Sequence, residues 1–341
     1  MPTFNLKATL ERVRGLHSAL VLMHDNPDPD AMAAAECMRH VLEQAAGLSV
    51  TVAQGGIIGR AENRAMVATL GLVHVSVEQV DFSAYPVIAL VDTQPETGNN
   101  SLPSGHRVDI VVDHHPPRAA SHRAPWCDIR AGYGASCTIT YSYLKELGIP
   151  TDSALATAIL YALKSETRDL IREASEHEVE AYTSLMKLAD FDKLRVIAEP
   201  KVPAAHFAAL DRALRAAEVR GPLLAVNLGS LDYPDLVAEI ADLLLPFEGA
   251  HFVLCVGTYR GAVHLSVRTD LPRAHAGDLT RKMVGARGTA GGHGACAGGR
   301  LRAVVTKDDA LVPIYRSLVD DMAHRLRITA EGSVPLLQSV R

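Results

Sequence analysis

Residues 18–45 read SALVLMHDNPDPDAMAAAECMRHVLEQA: an apolar run, a turn of acids and prolines, then an alanine-rich helical pattern. A short apolar run followed directly by a helix is the opening of a βαβ unit, and the pattern repeats along the first half of the chain. LSVTVAQGG (48–56), AENRAMVATLG (61–71), YPVIALVDT (85–93) and VDIVVDHH (108–115) continue it, so the fold expected is α/β, with a doubly wound, mostly parallel N-terminal sheet. Within the turn, Asp30 stands where it can cap the following helix.

Further helical patterns cover 134–148 and 152–167, and another begins near Ser175. Between 190 and 206, FDKLRVIAEPKVPAAH carries two prolines and no sustained apolar face, which places a domain boundary there. The expected division is a first domain over 1–190, a linker over 191–215 and a smaller α/β domain over 216–341, with the site in the cleft between the domains. The second domain opens with LLAVNLGS (223–230), followed by a helix through 235–247 and a hairpin turning at Gly261. A helix near 277–285 then leads into the glycine-rich GARGTAGGHGACAGGR, and a final helix covers 309–327.

The chain has 341 residues, 48% of them hydrophobic and 21% charged, with a formal charge of -5. That balance lacks the basic surplus a long duplex nucleic acid demands, so any nucleic-acid substrate must be short and locally held. Aromatic residues make up only 5%, with no stripe suited to stacking a run of bases. Five scattered cysteines without C-x-x-C spacing point to reduced thiols, and no window reaches about 18 uninterrupted apolar residues. A cytoplasmic protein with no membrane partner is expected; nothing in the sequence decides between a monomer and a homodimer.

Three strand-like runs end in acids or histidines: His24, Asp28 and Asp30 after the first, Asp92 after another, and Asp113-His114-His115 after the last. In an open parallel sheet the carboxyl ends of the strands converge on one crevice. One such acid would be a helix cap or turn former, but several carboxylates gathered together are costly unless cations neutralise them. A mixed carboxylate and imidazole set suits two divalent ions such as Mn²⁺, with Mg²⁺ as the other candidate, rather than structural zinc. Two ions sharing a bridging carboxylate would generate a hydroxide nucleophile for attack at phosphorus.

HDNPDPDA (24–31), VDT (91–93) and VDHH (112–115), in this order and spacing, resemble the motifs of the DHH family of phosphoesterases. That family includes RecJ-like exonucleases, oligoribonucleases, cyclic-dinucleotide phosphodiesterases and manganese pyrophosphatases. The resemblance implies that His24 and Asp28 bind one metal, that Asp30 and His114 bind the other, and that Asp92 bridges. It further implies that Asp113 orients a neighbouring histidine and that His115 faces the scissile phosphate. A fourth family motif supplies an aspartate where this chain has Glu166 in ALKSETRDL (162–170), with Asp169 as the substitute. GTAGGHGACAGG (288–299) resembles the GGH motif of the DHH-associated C-terminal domain, with Cys296 as a departure. This implies that Gly291, Gly292, His293 and Arg268 hold the substrate's terminal nucleotide.

Arg60 and Asn63 follow the second strand on the same sheet edge and are candidates for substrate contact, against a surface or helix-start role. Asn99 and Asn100 beside Asp92 are read as turn formers ahead of substrate contacts, and Arg168 and Arg172 either extend a cationic rim or belong to i,i+4 pairs with neighbouring glutamates. The expected activity is hydrolysis of phosphoesters in short oligoribonucleotides or small nucleotides, including 3′-phosphoadenosine 5′-phosphate. Its alternatives are a phosphodiesterase of cyclic or linear dinucleotides, and a nucleotide-binding regulatory protein whose hydrolase site has decayed at Glu166. The GGH-bearing domain argues against a pyrophosphatase.

Overall fold

The computed structural model describes residues 5–271, 274–305, 308–330 and 332–338. The chain divides into two compact units, Met1–Pro200 and Lys201–Arg341.

The first unit runs α1 (Leu6–Val13), β1 (Ser18–Leu22), α2 (Pro29–Ala46), β2 (Ser49–Gln54), α3 (Ala61–Leu70), β3 (Val75–Ser76), β4 (Val87–Val91), β5 (Ile110–Asp113), β6 (Trp126–Ile129), α4 (Ser136–Leu147), α5 (Ser153–Thr167), α6 (Glu176–Leu185) and α7 (Phe191–Ala198). Its six described strands form one sheet in the order β3-β2-β1-β4-β5-β6, parallel throughout. Strand β1 explains why the sheet is closed on both faces. Ala19 and Val21 join the cluster containing α2, α4 and α5, while Leu20 and Leu22 join Ala53, Ile88 and Leu90 on the other side. Alternate side chains leave a strand on opposite faces, so an unbroken apolar run marks a strand covered twice. Helix α2 starts with Pro29 in its first turn and stops at Gly47, whose φ of 73° is left-handed and satisfies the last carbonyls through its N–H.

The second unit runs α8 (Ala204–Ala216), β7 (Ala217–Arg220), β8 (Leu223–Ser230), α9 (Leu236–Leu244), β9 (Phe252–Tyr259), β10 (Ala262–Thr269), α10 (Ala276–Val284), β11 (Gly288–His293), β12 (Cys296–Val304), α11 (Asp308–Arg325) and β13 (Val334–Pro335). Its sheet is ordered β11-β12-β10-β9-β8-β7-β13. Only β8 and β9 pair in parallel; the other neighbours are antiparallel. Leu254 and Val256 face α10 and α11, whereas Val253 and Cys255 face α8 and α9.

Residues 191–215, read from the sequence as a linker, fold into α7 and most of α8. Ile197 of α7 is buried in the first unit's core; Ala209 and Ala213 of α8 are buried in the second's. Alanines make a narrow apolar stripe that hydrophobic periodicity does not register. The glycine-rich stretch is also more ordered than a loop, because β11 and β12 form an antiparallel hairpin pairing Gly291 with Gly298 and Gly292 with Ala297. Small residues there admit a close neighbour: a Cβ on Gly277 of α10 would lie 2.0 Å from the Gly292 carbonyl oxygen.

Gly277→Ala is therefore expected to destabilise the second unit by about 1–3 kcal/mol, the usual cost of overpacking. Gly291→Ala, whose added Cβ meets nothing within 4 Å, is expected to leave stability unchanged or raised. Urea unfolding of the two variants checks this; equal midpoints would show that the helix–hairpin approach is not tight.

Candidate metal centre

The sheet order reverses between β1 and β4, and the site lies at the carboxyl ends of β1, β4 and β5. The β1 segment His24–Asp28 is held by its neighbours. Asp25 N–H donates to the Asn99 carbonyl at 2.7 Å, Ser101 Oγ donates to Asp25 Oδ1 at 2.8 Å, and Ile57 N–H donates to Asn26 Oδ1 at 3.0 Å. Asp28, rather than Asp30, caps α2, accepting the Ala31 N–H at 3.0 Å. The turn Asp28-Pro29 puts Asp30 inside the first helical turn, where its carboxylate meets a different helix. Its oxygens accept the N–H groups of Ser136 and Cys137 at 2.7 and 2.8 Å, so Asp30 serves as the anion at the otherwise uncapped start of α4.

Asp92 follows β4 with φ at 54°, a left-handed conformation that a non-glycine residue holds only under constraint. Ser136 Oγ donates to its Oδ1 at 2.8 Å. The same Oδ1 lies 3.6 Å from His114 Nε2 and 3.7 Å from His115 Nδ1, while Oδ2 lies 3.5 Å from His24 Nε2. His24 Nε2 is also 3.7 Å from Asp28, and His114 Nε2 is 3.9 Å from Asp30. Each of these two imidazoles turns Nδ1 to a backbone carbonyl, Asp25 for His24 at 2.9 Å and Tyr133 for His114 at 3.2 Å. A proton on Nδ1 in that geometry leaves Nε2 as the basic nitrogen facing the carboxylates, the tautomer a metal ligand needs.

The Nε2 to oxygen separations exceed hydrogen-bond length. They approach the spacing of ligand atoms around one ion, since bonds of about 2.1 Å set neighbouring donors about 3–3.5 Å apart. Two donor groups emerge, His24-Asp28-Asp92 and Asp92-Asp113-His114-His115, and Asp92 belongs to both. The donor set fits divalent metal ions. The electrostatics also call for them. Burial, then the nearby charges of Asp30, Asp28 and Asp113, raise Asp92 well above the ordinary carboxyl range. Burial, Asp28 and Glu166 push Asp30 up to about 7. Asp113 is instead brought down to about 2, because His115 and Gln94 outweigh its burial.

His24, Asp28, Asp92, Asn99, His114, His115 and Glu166 line one cavity of about 130 Å³. Glu166 thus stands at the site. Asp169 does not: its carboxylate pairs with Lys164 Nζ at 2.6 and 2.7 Å and accepts from Tyr182. Arg172 donates to the Glu166 carbonyl at 2.7 Å, and Arg168 sits beyond the end of α5 with φ at 48°. Of the residues expected to meet substrate, Arg60 begins α3 with its guanidinium 3.9 Å from Glu62, and Asn63 is buried, donating to the Pro27 carbonyl at 3.3 Å. Neither belongs to the cavity wall, and the contact Asn63 makes holds the metal-binding loop. Asn99, read as a turn former, accepts from Thr93 Oγ1 at 2.7 Å and also borders the cavity.

In the second unit Arg268 is buried against α9, its Nε donating to Asp242 at 2.7 Å and an Nη to Ser266 at 2.8 Å. Gly291 and Gly292 lie on β11; the side chain of His293 lies outside the described residues. Ser136 and Gln94 were missed from the sequence, because a serine before a helix and a glutamine after a strand carry no motif of their own.

The fold and site define a doubly wound domain with a mixed carboxylate and imidazole cluster at its switch point. Residues 18–163 match the model of the DHH family, N-terminal domain, and the chain shares its fold with RecJ. An uncharacterized protein of Methanocaldococcus jannaschii is 32% identical over 304 residues, covering 89% of this chain, and the chain spans 62% of that relative's length. An exopolyphosphatase-related protein from Bacteroides fragilis superposes with a TM-score of 0.73 at 12% identity, covering 95% of this chain and 99% of that one. RecJ from Thermus thermophilus in complex with Mn²⁺ gives 0.56 at 16% identity, covering 97% and 56%. At these identities the solved structures share the fold. Among the described residues, no helix is long and apolar enough to cross a membrane.

The shifts on Asp30 and Asp92 set a pH dependence. An acid whose pKa is raised by folding stabilises the folded state when protonated, and that contribution is lost as pH rises from the unfolded value near 4 through the folded one. Asp113, with a lowered pKa, acts only below that window. Metal-free protein is therefore expected to lose stability between pH about 4 and 7, and saturating Mn²⁺ to remove most of the loss. Chemical denaturation at several pH values, with and without Mn²⁺, reads this out; a metal-free curve that rises across the window would contradict it.

Proposed function

We propose that this protein is a two-metal phosphoesterase acting on short oligoribonucleotides or small nucleotides. The observation that carries the reading is Asp92, whose two oxygens face His24 on one side and His114 and His115 on the other. His24, Asp28 and Asp92 would hold one divalent cation; Asp92, His114, Asp30 and Glu166 would hold the second. Mn²⁺ suits this donor set best, with Mg²⁺ next. When bound, the pair supplies Lewis acidity and neutralises charge at the phosphoryl oxygens.

The chain's own groups do the rest. His115 borders the cavity with Nδ1 held 2.8 Å from Asp113. Burial works against its protonation, but the Asp113 carboxylate overrides it and raises the pKa. In the proposed reaction His115 keeps a proton available at Nε2 for a phosphoryl or leaving-group oxygen. Asn99, on the same wall, orients the substrate by hydrogen bonding. A cavity of about 130 Å³ offers room for a phosphoryl group at the metal ligands, in keeping with small substrates. Gly291, Gly292, His293 and Arg268 are proposed to hold the terminal nucleotide, and Arg60 a more distant phosphate.

Purified protein with Mn²⁺ should hydrolyse at least one member of a panel of di- to pentaribonucleotides, cyclic dinucleotides and 3′-phosphoadenosine 5′-phosphate. Asp92→Asn, which tolerates the left-handed backbone, should abolish turnover while keeping the fold. His115→Gln should lower kcat by about 100-fold or more with a smaller change in KM. Binding of a nucleotide without turnover of any panel member would favour the decayed regulatory protein instead.

A further inference from the structure

We propose that Gln94 is a positioning residue, acting through Asp113 to fix the His115 imidazole toward the substrate phosphate. The proposal rests on the phosphoesterase reading for the role of His115, and on geometry for the rest.

Gln94 follows Asp92 and Thr93 at the end of β4 and is 1% exposed. Its amide nitrogen donates to Asp113 Oδ2 at 2.7 Å and to the Pro116 carbonyl at 3.2 Å. Its amide oxygen accepts the Arg118 N–H at 2.7 Å and the Ser121 hydroxyl at 2.8 Å. A glutamine amide has two donor hydrogens and two acceptor lone pairs, and all four are engaged. Two acceptors on one side and two donors on the other also fix which end is nitrogen. Fully satisfied buried networks of this kind hold a single geometry, because turning any member leaves a desolvated polar group behind.

Asp113 is the member that matters to the site. Its Oδ1 accepts the His115 backbone N–H at 3.1 Å and Nδ1–H at 2.8 Å, while its Oδ2 takes the Gln94 donor. The carboxylate is clamped on both oxygens and cannot turn without breaking bonds at each. This settles a competition for His115, since Asp92 Oδ1 lies only 3.7 Å from the same Nδ1. With Gln94 in place, His115 pairs with Asp113 and Asp92 stays available to cations. Without it, Asp113 Oδ2 loses its donor and the imidazole has a second carboxylate to follow.

Gln94→Met keeps the volume and removes all four hydrogen bonds. The first readout needs no turnover: the imidazole ¹H–¹⁵N spectrum of metal-free protein, in which the His115 Nδ1–H signal is assigned by its loss in His115→Ala. That signal should shift or vanish in Gln94→Met. The second is a double-mutant cycle. Gln94→Met should lower kcat by about 10- to 100-fold, the usual effect of losing a partner behind an active-site histidine. In the His115→Ala background it should cost no more than about twofold, because a residue that acts through His115 has nothing left to position and its effect is not additive. An unchanged His115 signal, or full loss again in the His115→Ala background, would overturn the proposal. If Gln94→Met does not fold, Gln94→Glu keeps the acceptor for Arg118 and Ser121, withdraws the donor from Asp113, and is held to the same outcomes. A wild type that hydrolyses no phosphoester would remove the phosphoesterase reading, while the spectrum still decides whether Gln94 positions His115.

Discussion

Mutual repulsion among buried carboxylates governs this molecule. Asp30, Asp92 and Asp113 are each buried, Asp28 is half-buried beside them, and their charges bear on one another. The fold spends its local devices on holding them. A helix start receives Asp30, a serine hydroxyl receives Asp92, a capping turn receives Asp28, and a histidine and a glutamine receive Asp113. What these devices leave over is negative charge around a small cavity, which is the setting that metal binding neutralises.

The arrangement follows from topology. A parallel sheet whose strand order reverses between β1 and β4 opens a crevice at that point, and the turns after β1, β4 and β5 all empty into it. Residues nearly a hundred positions apart become neighbours because consecutive strands in space are not consecutive in sequence. The left-handed conformation of Asp92 is a local expression of the same demand: the chain bends at once after β4, bringing the carboxylate into the crevice.

Much of this was legible beforehand. Runs such as SALVLM and VIALV announce doubly covered strands, and the acids and imidazoles at their ends announce a shared pocket. What escaped was whatever depends on partners distant in sequence. Asp30 looked like the cap of its own helix, yet it caps α4, a helix starting more than a hundred residues later. Asn63 looked like a substrate contact because it lies on the right edge, yet its amide turns inward to Pro27. Gln94 carried no signal at all. The short β6 and the alanine-faced α8 were passed over because neither shows the alternation or the wide apolar stripe that pattern reading relies on.

The central claim is that Asp92 joins two cations. Anomalous diffraction from a crystal soaked in Mn²⁺ tests it most directly. Two peaks about 3.5–4 Å apart, one beside each Asp92 oxygen, are the expected result. A single peak remote from Asp92, or none at saturating Mn²⁺, would contradict it.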